Sequence, residues 1–353
     1  MCKRSFLIIF LGYFAFVFAD IGRDDFVDCF TSLQPLSDGQ RIAKFACLLG
    51  GFKLNNASVS ATFDSFFPVR GDIVLNDGTL MLSRDLICKD VTTIKNLGNI
   101  VGNNMVLDLS STITSFPSDG NATVVFSDLA VFLRGDVYIN ESEITFNGNS
   151  VIHGRGNLLT LSPTTILKVG ANSSLRFEDI TIKNVNNKKI QCTDDSSTVE
   201  FRNVSWIQDD DYIFDAGKFD VLGEFHVFGD GYTFIYQTDQ ISTVSVCSAI
   251  ILDNNLTFSY DPPGALRDLI ELSQVSSQFV LNGATLHSTA AGLRLKKGRL
   301  VIDRRSFISS DGQEDGESIS FGDGGDAENN LGVQFLPAAT LEIIKGFVAY
   351  NNV

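Results

Sequence analysis

Asn172-Ser-Ser-Leu-Arg-Phe-Glu-Asp-Ile-Thr-Ile-Lys-Asn184 decides how the rest of the chain is read. Leu175 and Phe177 alternate with Arg176 and Glu178, the period of a strand with one buried face. A polar corner follows at Asp179, and the apolar beat resumes on Ile180 and Ile182. The unit is two alternating hydrophobic residues, two or three corner residues, a small polar residue and a further hydrophobic one.

The unit recurs as Val199-Glu-Phe-Arg-Asn-Val-Ser-Trp206, Phe219-Asp-Val-Leu-Gly-Glu-Phe-His226 and Ile250-Ile-Leu-Asp-Asn-Asn-Leu-Thr257. It returns again at Phe279, Leu300 and Leu341, and looser copies begin at Leu80, Val106, Val124 and Val137. From Leu175 onward the copies start 20 to 41 residues apart. Irregular repeats of this length around a fixed core predict a stacked solenoid in which neighbours share the core. A hairpin sandwich shows turn signals every 8–12 residues. Here one strand signature returns in one orientation instead, so parallel coils are expected, right-handed by the usual crossover rule.

Asn-Asp, Asp-Gly, Asn-Gly and Asn-Asn pairs punctuate the strands at Asn76-Asp77, Asn103-Asn104, Asp119-Gly120, Asn147-Gly148, Asn254-Asn255 and Asn282-Gly283. These residues tolerate left-handed backbone, which sharp corners need. Asn76-Asp77-Gly78 reads as a hairpin or as a tight rung corner. Upstream, Asp24–Leu33 (Phe26, Phe30, Leu33) and Ser37–Leu49 (Ile42, Phe45, Ala46, Leu49) carry helical spacing. They predict a helical cap on the open end of the solenoid. Pro263–Leu272 reads as a short turn or loop.

Phe is frequent (29) while Pro (7) and Trp (1) are rare, which suits an all-β interior of stacked rings and branched side chains. The formal charge of −15 repels phosphate backbones and anionic lipid, so neither is an expected partner. Met1–Ala19 has the form of a secretory signal: Lys3 and Arg4, an apolar run Phe6–Phe18, and Val17-Phe18-Ala19 at the cleavage position. The run is short for a membrane span, which takes about twenty residues. Cys29, Cys47, Cys88, Cys192 and Cys247 lie beyond it. Their odd number and wide spacing spell no disulfide framework. A Cys29–Cys47 bridge is one option, with buried thiols expected for the other three.

Val151-Ile-His-Gly-Arg-Gly-Asn157, followed by Leu158-Leu-Thr-Leu161, resembles the glycine-containing corner of right-handed parallel β-helix proteins, the pectin-lyase-like superfamily. The resemblance spans roughly residues 70 to 350 and lies in the rung pattern. The chain looks most like secreted, non-enzymatic members, the passenger-type and polymorphic-outer-membrane-like bacterial surface proteins. The tetrapeptides of the polymorphic family do not recur, Phe146-Asn-Gly-Asn149 being a single match, and no long alternating tail of the kind a translocating barrel needs follows Val348.

The superfamily's hydrolases imply Asn-x-Asp, Asp-Asp, Gly-His-Gly and Arg-x-Lys on successive rungs, because one carboxyl protonates the leaving oxygen and another activates water. Asp194-Asp195 and Arg294-Leu-Lys296 are present, without a Gly-His-Gly between them. A lyase would hold calcium on carboxylates beside a basic residue. Asp209-Asp210-Asp211 near Arg202 is the local candidate, but three consecutive acids cannot share one strand face. Asp311–Asn330 carries Asp311, Glu314, Asp315, Glu317, Asp323, Asp326 and Glu328 without an ordered calcium-ligand spacing. His153, His226 and His287 fall on separate repeats and read as structural or surface residues. Lys296-Lys297-Arg299 and Arg304-Arg305 form the one basic cluster. Asn-x-Ser/Thr triplets at Asn56, Asn121, Asn140, Asn172, Asn203 and Asn255 are also ordinary corner chemistry.

The expectation is an all-β, right-handed parallel β-helix solenoid over 57–353, behind a signal peptide (1–19) and a short N-terminal helical cap (20–56). No catalytic, cofactor-binding or metal site is assigned, and no cofactor is expected. The expected protein is secreted, periplasmic or on the cell surface, a structural or adhesive rod binding a glycan or a surface protein through its loops. The alternative is a lyase or hydrolase of acidic polysaccharide with a degenerate site at Asp194, Asp195, Arg202 and Asp209.

Overall fold

The computed structural model describes residues 20–21, 28–43, 46–56, 58–89, 94–95, 98–109, 123–140, 143–253, 255–312, 319–325 and 330–351. The signal segment and acidic residues 314, 315, 317, 326 and 328 lie outside them. The described residues coil into a parallel β-solenoid of about 11 turns. A nine-stranded sheet runs from Asp20–Ile21 up to Ile190–Cys192. A sixteen-stranded sheet follows the coil from Leu86–Cys88 to Leu331–Phe335. A six-stranded sheet from Tyr212–Phe214 to Thr340–Lys345 serves the later turns.

The founding stretch shows why this sequence coils. In the strand Ser174–Val185, Leu175, Phe177, Ile180, Ile182 and Val185 point into the core. The next copy of the unit, on Thr198–Gln208, lies directly beside it: Leu175 pairs with Val199, Phe177 with Phe201, Ile180 with Val204 and Ile182 with Trp206. Like positions stack on like, so each turn buries the exposed face of the previous one. Asp179 (φ 48°) and Asn203 (φ 54°) make the corner within each copy. Their short polar side chains tolerate left-handed backbone.

Corners are closed from inside by buried serines. Ser197 Oγ donates to Val169 O (3.2 Å) or Gly170 O (3.0 Å), Ser277 Oγ to Ser245 O (2.8 Å) and Ser306 Oγ to Leu281 O (3.0 Å). Each ties its corner to a carbonyl of the turn before, so the buried hydroxyl is itself satisfied. Gly154 serves another corner: a Cβ there would lie 2.5 Å from Ile180 Cβ, so only glycine lets the two backbones approach.

Asn76 (φ 47°) and Asp77 (φ 62°) turn a rung corner. The strands they join, Asp72–Val74 and Thr79–Leu82, belong to different sheets, so no hairpin forms. No helix occurs among the described residues. Where Ser37–Leu49 has helical spacing, the described residues form the strands Arg41–Ile42 and Ala46–Leu48. Asp28–Phe30, at the end of the first helical candidate, is also a strand, and residues 22–27 lie outside the description. Runs this short fit both periods. Here Arg41–Ile42 pairs with Thr62–Phe63 and Ala46–Leu48 with Asp28–Phe30. The solenoid edge thus supplies backbone partners that an isolated helix would have had to find within itself. In that pairing the Cα positions of Cys29 and Cys47 face each other. Pro263–Leu272 is loop up to the strand Ile270–Leu272. No helix among the described residues is long and apolar enough to cross a membrane.

Candidate functional site

Parallel register turns isolated outward residues into ladders, with one rung every 4.7–4.9 Å. On the long sheet Asp108, Phe132, His153, Glu178 and Arg202 are successive partners. Asp108 is buried and receives Arg134 Nε at 2.7 Å (Oδ2) and 2.9 Å (Oδ1). The Phe132 and His153 rings meet edge to face at 5.3 Å, and the Arg155 guanidinium lies 4.5 Å from the Phe132 centroid. Arg202 Nη1 reaches Glu178 Oε1 at 3.4 Å, and Asn203 Nδ2 donates to Asp179 Oδ1 at 2.9 Å.

A second ladder runs Arg176, Glu200, Asp220, Thr243, Glu271. Arg176 Nε donates to Glu200 at 2.6 Å, and Lys218 Nζ lies 3.3 Å from Asp220. Further along, His226 sits between Asp253 and Glu224, each at 3.2 Å from one ring nitrogen. The Asp253 bond raises the imidazole above its ordinary value, with Glu224 assisting and burial opposing. Asp253 also accepts a bond from Asn282 Nδ2.

The groove of the alternative, enzymatic reading has its residues on separate corners and a bend. Asp194 occupies an exposed corner before the strand Thr198–Gln208, and Asp209 an exposed corner after it. Arg202 lies at the bend between them and turns to Glu178. Asp194 Oδ1 accepts Ser196 Oγ (2.6 Å) and N (2.9 Å), bonds that favour the ionised carboxylate, hold its pKa below the ordinary value and make it a turn residue. Asp209 accepts Asn186 Nδ2 at 3.0 Å, and Asp211 accepts Thr233 N at 2.7 Å. All three consecutive acids are exposed.

Within the basic cluster, Lys296 and Arg305 pair with acids. Arg294 and Lys296 both reach Asp268, Arg294 Nε at 2.6 Å. Arg305 makes a two-pronged pair with Glu342 at 2.7 and 3.0 Å. Asp311 at the start of the acidic run pairs with Lys345 and lies 3.5 Å from His287 Nε2. Of the later thiols, Cys88 and Cys192 are buried, and burial pushes each up to about 12. Cys247 instead sits exposed on a corner with φ 55°. A void bounded by Leu109, Phe126, Leu133, Ile144 and Phe146 lies within the core and is lined by apolar side chains alone. It offers no polar group to orient a sugar.

Each of the three histidines thus faces carboxylates, which motif reading did not anticipate. His153 and Glu178 are too far apart in sequence for any spacing rule, and only the rung register joins them. Comparison with protein-family models, with curated proteins and with solved structures finds no match.

Proposed function

We propose that the protein is a secreted, non-catalytic β-solenoid rod. It binds an extended glycan or a cell-surface protein along the outward side of its long sheet, as an adhesive or structural element. In this reading it is a distant, right-handed relative of the non-enzymatic surface members of the pectin-lyase-like superfamily. The observation that carries it is the aligned pair of ladders, Phe132–His153–Glu178–Arg202 and Arg176–Glu200–Asp220. They place an aromatic edge, cations and carboxylates at regular steps on one rigid face. Such an array suits a repeating polymer, because each rung offers hydrogen bonds already held in place. Dispersal of Asp194, Arg202 and Asp209 to separate partners supports binding over turnover.

The test is a glycan array and a cell-binding assay with the purified chain, beside the double variant Arg176→Ala/Glu200→Ala. Binding that the variant loses while keeping its β-rich spectrum is the expected result. In parallel, uronic-acid polysaccharides with and without calcium are followed for unsaturated products and new reducing ends. Turnover in either channel overturns the non-catalytic reading.

A further inference from the structure

We propose that His153, Glu178 and Asp179 form a binding site for one divalent transition-metal ion of the zinc class. One donor atom from each residue lies within 4.8 Å of the other two. Around a tetrahedral ion with bonds of about 2.0–2.2 Å, donors stand roughly 3.4 Å apart. Small side-chain rotations therefore close the set.

The backbone builds this arrangement. His153 and Glu178 are register partners on neighbouring turns, so their side chains leave the sheet side by side. Asp179 would ordinarily point to the opposite face from Glu178. Its φ of 48° breaks the alternation, and both carboxylates are left at the surface before Ile180 turns inward. Gly154 N donates to Glu178 O at 2.8 Å and Gly156 N to Asp179 O at 2.6 Å, binding the two turns at the site.

Outer partners orient the acids. Asn203 Nδ2 holds Asp179 Oδ1 at 2.9 Å, and Arg202 Nη1 stands 3.4 Å from Glu178 Oε1. Metal-binding carboxylates generally carry such partners. The His153 ring packs perpendicular to that of Phe132, centroids 5.3 Å apart. Its Nδ1 is shielded from solvent and makes no hydrogen bond among the described residues. An orphaned buried nitrogen is uncommon and calls for a partner.

The donor set also selects the ion. One imidazole and two carboxylates suit zinc and its neighbours, whereas calcium takes six to eight oxygens. Three protein donors leave a tetrahedral ion one position for water or for an oxygen of a bound partner.

Titration calorimetry and equilibrium dialysis of the purified chain with zinc, manganese and calcium chlorides test the site. One zinc ion per chain is expected, undisturbed by an equal concentration of calcium. His153→Ala, Asp179→Asn and Glu178→Gln should each weaken it by more than about tenfold, the loss that removing even an outer partner produces. Three variants keep the test informative if one misfolds, as judged by far-ultraviolet dichroism. His226→Ala should leave binding intact. Absence of zinc binding, binding that survives the folded variants, loss with His226→Ala, or preference for calcium would each overturn the proposal.

Discussion

Phe201 and Phe225 stack face to face, ring centroids 3.9 Å apart and planes within 2° of parallel. Yet on the following turn the backbone partner of Phe201 is Val221, and Phe225 pairs with Val204 beyond the bend. The strand Thr198–Gln208 forks, one arm against Lys218–Val221 and the other against Glu224–Phe228. The two rings close the fork, and Trp206 stands perpendicular to both, its centroid 5.6 and 5.9 Å from theirs.

Phe201→Ala and Phe225→Ala should therefore each destabilise by about 3–5 kcal/mol, the cost of emptying an aromatic site in a packed core. Because the rings touch, the double variant should cost less than the sum of the two. Urea denaturation measures all three. Additive losses would show that the rings contribute independently.

Gly217 and Gly264 share left-handed backbone, φ 68° and 76°, but differ in surroundings. A Cβ at Gly217 would stand 2.5 Å from Ser197 O, whereas nothing lies within 4 Å at Gly264. Both Ala substitutions carry the conformational strain, and only Gly217→Ala adds a clash with backbone. It should cost about 1–3 kcal/mol more than Gly264→Ala, read as the difference in melting free energy.

His226 makes stability depend on pH. The Asp253 bond, with help from Glu224 and against burial, raises its folded value above the ordinary one. A raised cation stabilises fully below the unfolded value of about 6.5 and loses that contribution as pH climbs through the folded one. The stability gap between the parent and His226→Gln should be larger at pH 5.5 than at pH 8.5. Since the ring is partly exposed, the gap should stay below about 1 kcal/mol. A gap that widens toward high pH would contradict the pairing.

Asp268 has the opposite sign. Burial works to raise it, and the bonds from Arg294 and Lys296 outweigh burial, so its folded value is lowered. Its contribution is present above the unfolded value near 3.9 and lost as pH falls through the lower folded one. Asp268→Asn should destabilise at pH 7 by about 0.5–1 kcal/mol, discounted for its partial exposure, and the loss should shrink as pH falls below the unfolded value.

Cys247 should react with a water-soluble maleimide in the native protein, while Cys88 and Cys192 react only on unfolding. Burial holds those two thiols protonated, near 12, and only the thiolate attacks. Peptide mapping after a brief pulse distinguishes the three. Native labelling of Cys192 would show that its rung opens.

The residues that announced the coil did so through local rules. Leu175 and Phe177 alternate with polar neighbours, and Asp179 and Asn203 allow the sharp turn between them. The copy on Thr198–Gln208 repeats both features, so these two turns are complementary. The N-terminal strands were not legible, because Ile42, Ala46 and Leu49 satisfy a helical spacing as well as short strands. Only a solenoid edge offering hydrogen bonds, as Thr62–Phe63 does to Arg41–Ile42, separates the two.

Alternation and corner chemistry are properties of adjacent residues, and the sequence alone therefore determined that the chain from residue 57 onward forms parallel all-β rungs, with Leu175, Phe177, Ile180 and Ile182 pointing inward. It could not determine which outward side chains meet. That depends on how many residues each loop spends before the next rung, hence on register. Register in the folded coil sets His153 beside Glu178 and Arg202 beyond it, and it leaves Asp194 and Asp209 on separate corners.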